Sequence, residues 1–305
     1  MSELAQIAVI LNASAGSGCT ADFANSVTDK FREQGLFVSV TLAASGGEVV
    51  AASKRAATGR VRIVVAGGGD GTLSAVASTL IRTDIALGVL PLGTLNHFAK
   101  DLHIPMGLDD AIRTIAEGHS IQIDAGEVNG RTFINNSSLG LYADTVRHRE
   151  QQQHRLGRSK WLAFFWAAVT AFRRYPFLTV TLSLDNEEYR RRTPFIFIGN
   201  NEYLMEGFNI GARARIDGAK LSLYMTQHTG RLGSLWLAAR AVFGRLRQAK
   251  DFDALSAKKI LIETRHKLIR VATDGEVTVM STPLHYRTRP AALKVIVPRD
   301  ADMEE

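Results

Sequence analysis

The chain has 305 residues, 46% of them hydrophobic and 22% charged, with a single cysteine and a formal net charge of +7. That length points to about two domains, and the composition gives no reason to expect a disordered or fibrous protein. One cysteine, Cys19, excludes an internal disulfide and a cysteine metal cluster, and the first residues lack the pattern of a signal peptide, so the expected setting is the cytoplasm.

Residues 7–11 (IAVIL), 36–42 (LFVSVTL), 61–66 (VRIVVA) and 85–90 (IALGVL) are short β-branched runs that predict strands. Residues 21–34 and 47–58 between them carry helix spacing. This alternation predicts a doubly wound α/β domain with a mainly parallel sheet over residues 1–125. Ligands of such sheets sit beyond the C-terminal strand ends, which is where NASAGSG (12–18), AGGGDGT (66–72) and LPLGTLNHF (90–98) fall.

After residue 125 the rhythm changes. Residues 131–136, 178–184, 194–199, 220–225, 259–263, 267–273 and 292–297 are short alternating runs, the pattern of an antiparallel β-sandwich over residues 126–291. Two helical segments, 155–176 and 230–248, interrupt it; both are rich in Trp, Phe and Leu and flanked by arginine. The first has an apolar core of 12 residues, 161–172, too short to span a bilayer. Such helices suit either the interface of an anionic membrane or ordinary packing on a sheet. Charge is uneven: 9 Lys and Arg against 13 Asp and Glu over residues 1–128, and 28 against 17 over the remainder. The basic second part favours an anionic partner, whether a nucleic acid, a membrane surface or a phosphorylated substrate.

The glycine loops narrow the ligand. The P-loop pattern GxxxxGKS/T is absent. Gly16 to Ala21 fits GxGxxA after a first strand, yet no acid follows the second strand until Glu48, so the ribose-binding carboxylate of a dinucleotide fold is not in place. Gly16 and Gly18, and again Gly68, Gly69 and Gly71, can offer main-chain N–H groups to phosphate oxygens, the second set just before a helix N-terminus. Thr72 and Thr94 offer hydroxyls and Asn96 an amide to a nucleotide. Asp70 would repel a bare phosphate. It fits if a Mg²⁺ lies between them, or if its carboxylate bonds to backbone donors and shapes the turn.

Asn12 with Gly16 and Gly18, GGGDGT (67–72), LPLGTLNHFAKDL (90–102), SSLGLYAD (137–144), DGAKLSL (217–223), TDGE (273–276) and ALKVIVP (292–298) together resemble the diacylglycerol kinase catalytic-domain family over nearly the whole chain. The resemblance implies a nucleotide-binding α/β domain, a β-sandwich domain, an active site between them, and a last strand, 292–298, that returns to the first domain. ATP would be held by Asn12, Gly16, Gly68, Gly69, Gly71, Thr72 and Thr94, with Asp70 organising nucleotide and Mg²⁺. Asp274 matches the general base for a lipid hydroxyl, and Glu276 is an alternative; from the residues alone, Asp274-Gly275 reads equally as a hairpin turn. Asp217 matches an acid that holds a structural Mg²⁺ together with the carbonyls of Ala214 and Ala219.

Four departures from the family pattern stand out: Ala13 for proline, His97 for aspartate, Ala43 for threonine, and Ile216 where a second acid usually precedes Asp217. The expected activity is transfer of the γ-phosphate of Mg-ATP to the hydroxyl of a lipid such as diacylglycerol, by a protein peripherally associated with an anionic membrane. NAD kinase shares GGDGT, but its Asn-Glu pair has no counterpart here. A non-catalytic ATP-sensing protein of the membrane surface is the reading from another class. No nucleic-acid recognition motif is present, and an exposed strand edge leaves a homodimer open.

Overall fold

Apolar runs buried on both faces favour parallel pairing, and the strands of the first part do pair in parallel. β1 (Ile7–Asn12), β2 (Val38–Ala43), β3 (Ile63–Gly68) and β4 (Ala86–Pro91) form a sheet in the order β2-β1-β3-β4. The computed structural model describes residues 7–16, 18–59, 61–140, 178–185, 187–206, 209–213, 215–226 and 252–299. The chain forms two compact units, Met1–Ala125 with Pro290–Glu305, and Gly126–Arg289.

In the first unit, helices α1 (Ala21–Glu33), α2 (Gly46–Thr58), α3 (Asp70–Leu80), α4 (His97–Asp101) and α5 (Leu108–Glu117) connect the strands and lead to β5 (Ser120–Val128). Local chemistry sets their ends. Thr20 caps α1 by accepting the Phe23 N–H, Ser45 caps α2 by accepting that of Glu48, and Gly118 ends α5 in the left-handed conformation. Val27 and Phe31 of α1 and Ala111, Ile112 and Ile115 of α5 pack with Val9, Leu11, Val65 and Leu90 in one core, while α2 and α3 pack against each other. The chain runs from β1 outward to β2 and then back past β1 to β3. The direction of winding therefore reverses between β1 and β3, the place where an open α/β sheet leaves a crevice.

The second unit is antiparallel. It contains β6 (Arg131–Phe133), β7 (Asn136–Gly140), β8 (Leu178–Leu184), β9 (Glu187–Thr193), β10 (Phe195–Asn200), β11 (Tyr203–Glu206), β12 (Asn209–Arg213), β13 (Leu221–Thr226), β14 (Phe252–Ala257), β15 (Lys259–Thr264), β16 (Leu268–Thr273) and β17 (Glu276–Ser281). A final long strand, β18 (Leu284–Ile296), has its first half in this unit and its second half in the other, where Val295 pairs in parallel with Leu87 of β4. Six strands pair in the order β14-β13-β10-β7-β16-β17, while β15 pairs with β18 and β8, and β8 with β9. Alternate residues of the two sheets meet in one core: Leu139, Ile196, Ile198, Leu221, Leu223 and Val271 from the six-stranded sheet, with Val180, Leu182, Ile260, Ile262, Leu284 and Tyr286 opposite. This is the antiparallel sandwich that the alternation predicts.

The segment 131–136 differs from its predicted single strand: it is divided into β6 and the start of β7, with Ile134 and Asn135 outside both. The aromatic segments 155–176 and 230–248 lie outside the described residues. Among the described residues, no helix is long and apolar enough to cross a membrane.

β5 carries two acids that the sequence reading passed over, Asp124 and Glu127, only 2% and 7% exposed. Asp124 accepts the Ala291 N–H within the first unit. In the second unit, Glu127 takes the Nε–H of both Arg287 and Arg289, each at 2.8 Å. Burial pushes the Glu127 carboxyl up, but the bonds from the two arginines outweigh it and hold the group below its ordinary value. A carboxyl lowered in the folded state stabilises the fold above its unfolded pKa of about 4.3, and this contribution fades as pH falls below that. Replacing Glu127 by Gln is therefore expected to cost about 2 kcal/mol at neutral pH, discounted for the half-exposed Arg287. The difference from wild type in urea unfolding should narrow steadily below about pH 4.

Candidate functional site

Three loops, following β1, β3 and β4, stand side by side because their strands do. Asn12 at the end of β1 donates its amide to Thr72 Oγ1 at 2.9 Å and accepts the Ser14 N–H at 3.0 Å. The Leu92 N–H binds the Gly68 carbonyl at 3.1 Å. Two glycines make the approach possible. A Cβ on Gly93 would lie 2.4 Å from the Gly69 Cα, and one on Gly16, whose φ is +58°, would lie 2.7 Å from the Leu92 carbonyl oxygen. Any side chain at these positions would push the loops apart.

Asp70 opens α3, and its carboxylate is directed at the neighbouring loop. Its two oxygens accept the N–H groups of His97 at 3.2 Å and Phe98 at 3.0 Å, the first donors of α4. Asp70 thus bonds to backbone donors, those of the next loop, as one of its two expected roles requires. α3 itself starts at Gly69 with no side-chain cap. Its N-terminus thus carries no side-chain cap, while the carboxylate beside it is occupied with α4.

The remaining nucleotide candidates divide. Gly16, Gly18, Gly71 and Thr94 are exposed, Gly69 is half-buried, and Gly68 and Thr72 are buried in the loop framework. The expectation for Asn96 needs correction. Its side chain is buried, with Oδ1 accepting the Gly93 N–H and Nδ2 donating to the carbonyls of Pro91 and Gly93. It braces the loop from within and presents no free amide to a nucleotide.

In the second unit, Asp274 and Gly275 both have positive φ, +47° and +87°, and form the tight turn between β16 and β17. The Asp274 carboxylate does more than turn the chain. It accepts the N–H groups of Ile134 at 2.8 Å on Oδ2, and of Asn135 at 2.8 Å and Asn136 at 2.9 Å on Oδ1. These bonds occupy the N–H groups of Ile134 and Asn135, the two residues at which the predicted strand is interrupted, and that of Asn136 where β7 begins. The carbonyls of the same segment are held as well, Ile134 by Asn200 Nδ2 and Arg213 Nη1, Asn135 by the Asn200 N–H and the Tyr203 hydroxyl. Glu276, 75% exposed, is ion-paired at 2.6 Å with Arg131, whose Nε also donates to the Thr273 hydroxyl at the end of β16. Sequence reasoning missed Arg131 and Arg213, because nothing near them in the chain marks their distant partners.

Asp217 is exposed and paired with Arg215 at 3.2 Å, and Ala219 has a φ of +53°. Ala214 lies outside the described residues. Among those residues, no group of three His, Cys, Asp or Glu side chains could hold a metal ion. A cation at either place would therefore need main-chain, amide or ligand oxygens as well. Beside Gly218 lies the buried amide of Asn201, neither of whose polar atoms has a hydrogen-bond partner among the described residues.

Comparison with known proteins follows this division. Residues 6–128 match the diacylglycerol kinase catalytic domain, and residues 137–297 match the YegS C-terminal NAD kinase beta sandwich-like domain. Proteins described as probable lipid kinase YegS-like, from Yersinia pestis (strain Pestoides F) and Yersinia pseudotuberculosis (strain IP 31758), are 36% identical over 119 residues, 38% of this chain. That match spans 40% of the length of those relatives. Among solved structures, a putative diacylglycerol kinase from Bacillus anthracis str. Sterne superposes with a TM-score of 0.74 at 21% identity, covering 98% of this chain and 99% of its own. A second diacylglycerol kinase structure from that organism has a TM-score of 0.69 at 20% identity, covering 99% and 100%. At such identities the structures establish likeness of fold.

Asp274→Asn tests how far the carboxylate supports the fold. The substitution keeps one acceptor oxygen and turns an NH₂ toward backbone donors, and Asn tolerates positive φ, so the turn itself survives. The expected loss is about 1–3 kcal/mol in chemical denaturation. Loss of activity in this variant has meaning only beside that measurement.

Proposed function

The chain belongs to the family that joins a diacylglycerol kinase catalytic domain to a YegS C-terminal NAD kinase beta sandwich-like domain, and on that premise we propose that it is a lipid kinase using Mg-ATP. The observation that carries the reading is the uncapped N-terminus of α3 among three interlocked glycine loops, with the charge of Asp70 turned toward α4. Phosphoryl transfer asks a protein mainly for positioned donors and charge neutralisation. The N–H groups around Gly69 and Gly71, the exposed glycines Gly16 and Gly18, and the Thr94 hydroxyl supply such donors to the phosphates and ribose. Asn12 and Thr72 act one step back, fixing the loops on which those donors stand.

Mg²⁺, when bound, neutralises phosphate charge. Asp70 retains lone pairs beyond its two backbone bonds and can share in holding it with the nucleotide's own oxygens. In the second unit, Asp274 is assigned to orient the acceptor hydroxyl and accept its proton. Glu276 and Arg131 brace the turn that carries Asp274, so Glu276 is a positioning residue in this reading. The acceptor is a lipid hydroxyl, diacylglycerol-like, met at an anionic membrane surface to which the protein binds peripherally from the cytoplasm.

Purified protein with Mg-ATP and vesicles carrying a panel of lipid alcohols, diacylglycerol among them, is expected to yield a phosphorylated lipid identified by mass. Gly93→Ala should raise the ATP KM at least tenfold, because the added Cβ separates the loops. Asp274→Asn should retain ATP binding and lose turnover. No phosphorylated lipid from any member of the panel, or phosphorylation of NAD in its place, would overturn the proposal.

A further inference from the structure

β15 and β18 pair antiparallel, and their alternate residues Ile260, Ile262, Leu284 and Tyr286 are buried in the core of the sandwich. The residues between them face outward, and the register sets Lys259 directly opposite Arg287, and Leu261 opposite His285. Like charges in direct opposition destabilise a strand pair. The two acids nearby are already engaged. Glu127 takes the Nε–H of both Arg287 and Arg289 at 2.8 Å, and Asp185 accepts the main-chain N–H groups of Lys258 at 3.4 Å and Lys259 at 3.2 Å. Among the described residues the Lys259 ammonium has no ion pair, and Nη1 of Arg287 has no hydrogen bond. These groups border a cleft of about 670 Å³ that lies within the second unit. Another side of it is the Asn129–Gly130 turn between β5 and β6, fixed where Asn129 accepts the His285 N–H at 2.8 Å and donates to the Ser281 carbonyl at 3.0 Å.

We propose that this cleft binds a small soluble molecule carrying a phosphate group, with the phosphate between Lys259 and Arg287. Arg287 is held by Glu127 with Nη1 left to donate, and Lys259 adds a second, mobile charge, so a phosphate set between them relieves their opposition. Three cations, Lys259, Arg287 and Arg289, against the two acids Glu127 and Asp185 leave the surroundings net positive. The space is larger than a phosphate alone requires and falls in the range of small-molecule sites. Leu261 offers an apolar surface to a short carbon skeleton, while His285 and the Ser183 hydroxyl offer hydrogen bonds to its polar groups. The ligand is therefore a phosphorylated compound of about the size of a glycerol or sugar phosphate. The site uses no residue to which the proposed function gives a role.

Titration of the full chain with glycerol 3-phosphate and with inorganic phosphate, followed by heteronuclear NMR in EDTA without nucleotide or lipid, tests the proposal. Glycerol 3-phosphate is expected to shift the amide signals of Ser183, Lys259 and His285 with a dissociation constant on the order of 1 mM, and inorganic phosphate to bind more weakly. Lys259 is exposed and unpaired, so Lys259→Gln should fold as wild type and weaken binding about tenfold. Lys259→Glu should abolish binding, and Lys259→Arg should retain it. No binding of either probe, shifts confined to the glycine loops of the first unit, or an affinity that Lys259→Gln leaves unchanged overturns the proposal. Capture of vesicles containing phosphatidic acid without binding of the soluble probes overturns it too, since the face would then serve a lipid surface. Neither ATP nor turnover enters the titration, so its failure would leave the kinase reading untouched, and a failed lipid-phosphorylation assay would leave this site standing.

Discussion

Backbone N–H groups at the ends of strands and helices must find acceptors once they leave water. This chain meets that constraint repeatedly with aspartate. Asp70 accepts the first donors of α4, Asp274 accepts three successive donors of 134–136, Asp124 accepts Ala291, and Asp185 accepts Lys258 and Lys259. Each acid joins segments far apart in the chain, and in each case a carboxylate accepts main-chain donors of a segment remote from its own. The shapes of the loop framework in the first unit and of the 134–136 segment in the second both depend on it.

This dependence separates what the sequence discloses from what it conceals. β1, β3, β4 and the core strands of the sandwich are legible because burial on one or both faces imposes an apolar pattern that can be read locally. β9, EEYRRRT, carries no such pattern, since charged side chains suit an edge strand open to solvent. β5, SIQIDAGEV, is interrupted by two acids whose partners, Ala291 and the arginines at 287 and 289, lie more than 150 residues away. The break between β6 and β7 has the same origin, because Asp274 is about 140 positions from the amides it takes. Asn96 misled for a related reason. A polar residue after a glycine loop reads as available to a ligand, and only the fold reveals that its amide closes the loop on itself.

Net charge is likewise a partial guide to partners. The basic excess of the second part includes arginines with internal duties: Arg287 and Arg289 on Glu127, Arg131 on Glu276 and Thr273, Arg213 on the Ile134 carbonyl, and Arg191 over the Tyr189 ring at 5.4 Å. Guanidinium groups suit these places because their planar donors can reach two acceptors at once. The field available to an anionic surface is therefore smaller than the residue count suggests, and attraction to a membrane has to draw on the cations that remain outside these pairs.

The same distinction between main chain and side chain clarifies His97, the departure from the family pattern nearest the loops. Asp70 binds the N–H of this residue, which histidine supplies as well as aspartate would. The clasp between α3 and α4 thus survives the exchange, and so does the arrangement that leaves the N-terminus of α3 uncapped. What changes is the exposed side chain beyond the clasp, where a carboxylate is replaced by an imidazole. Any consequence of His97 accordingly falls on groups that meet this surface from outside, which in the proposed function are a nucleotide phosphate or its cation, while the loop framework is preserved.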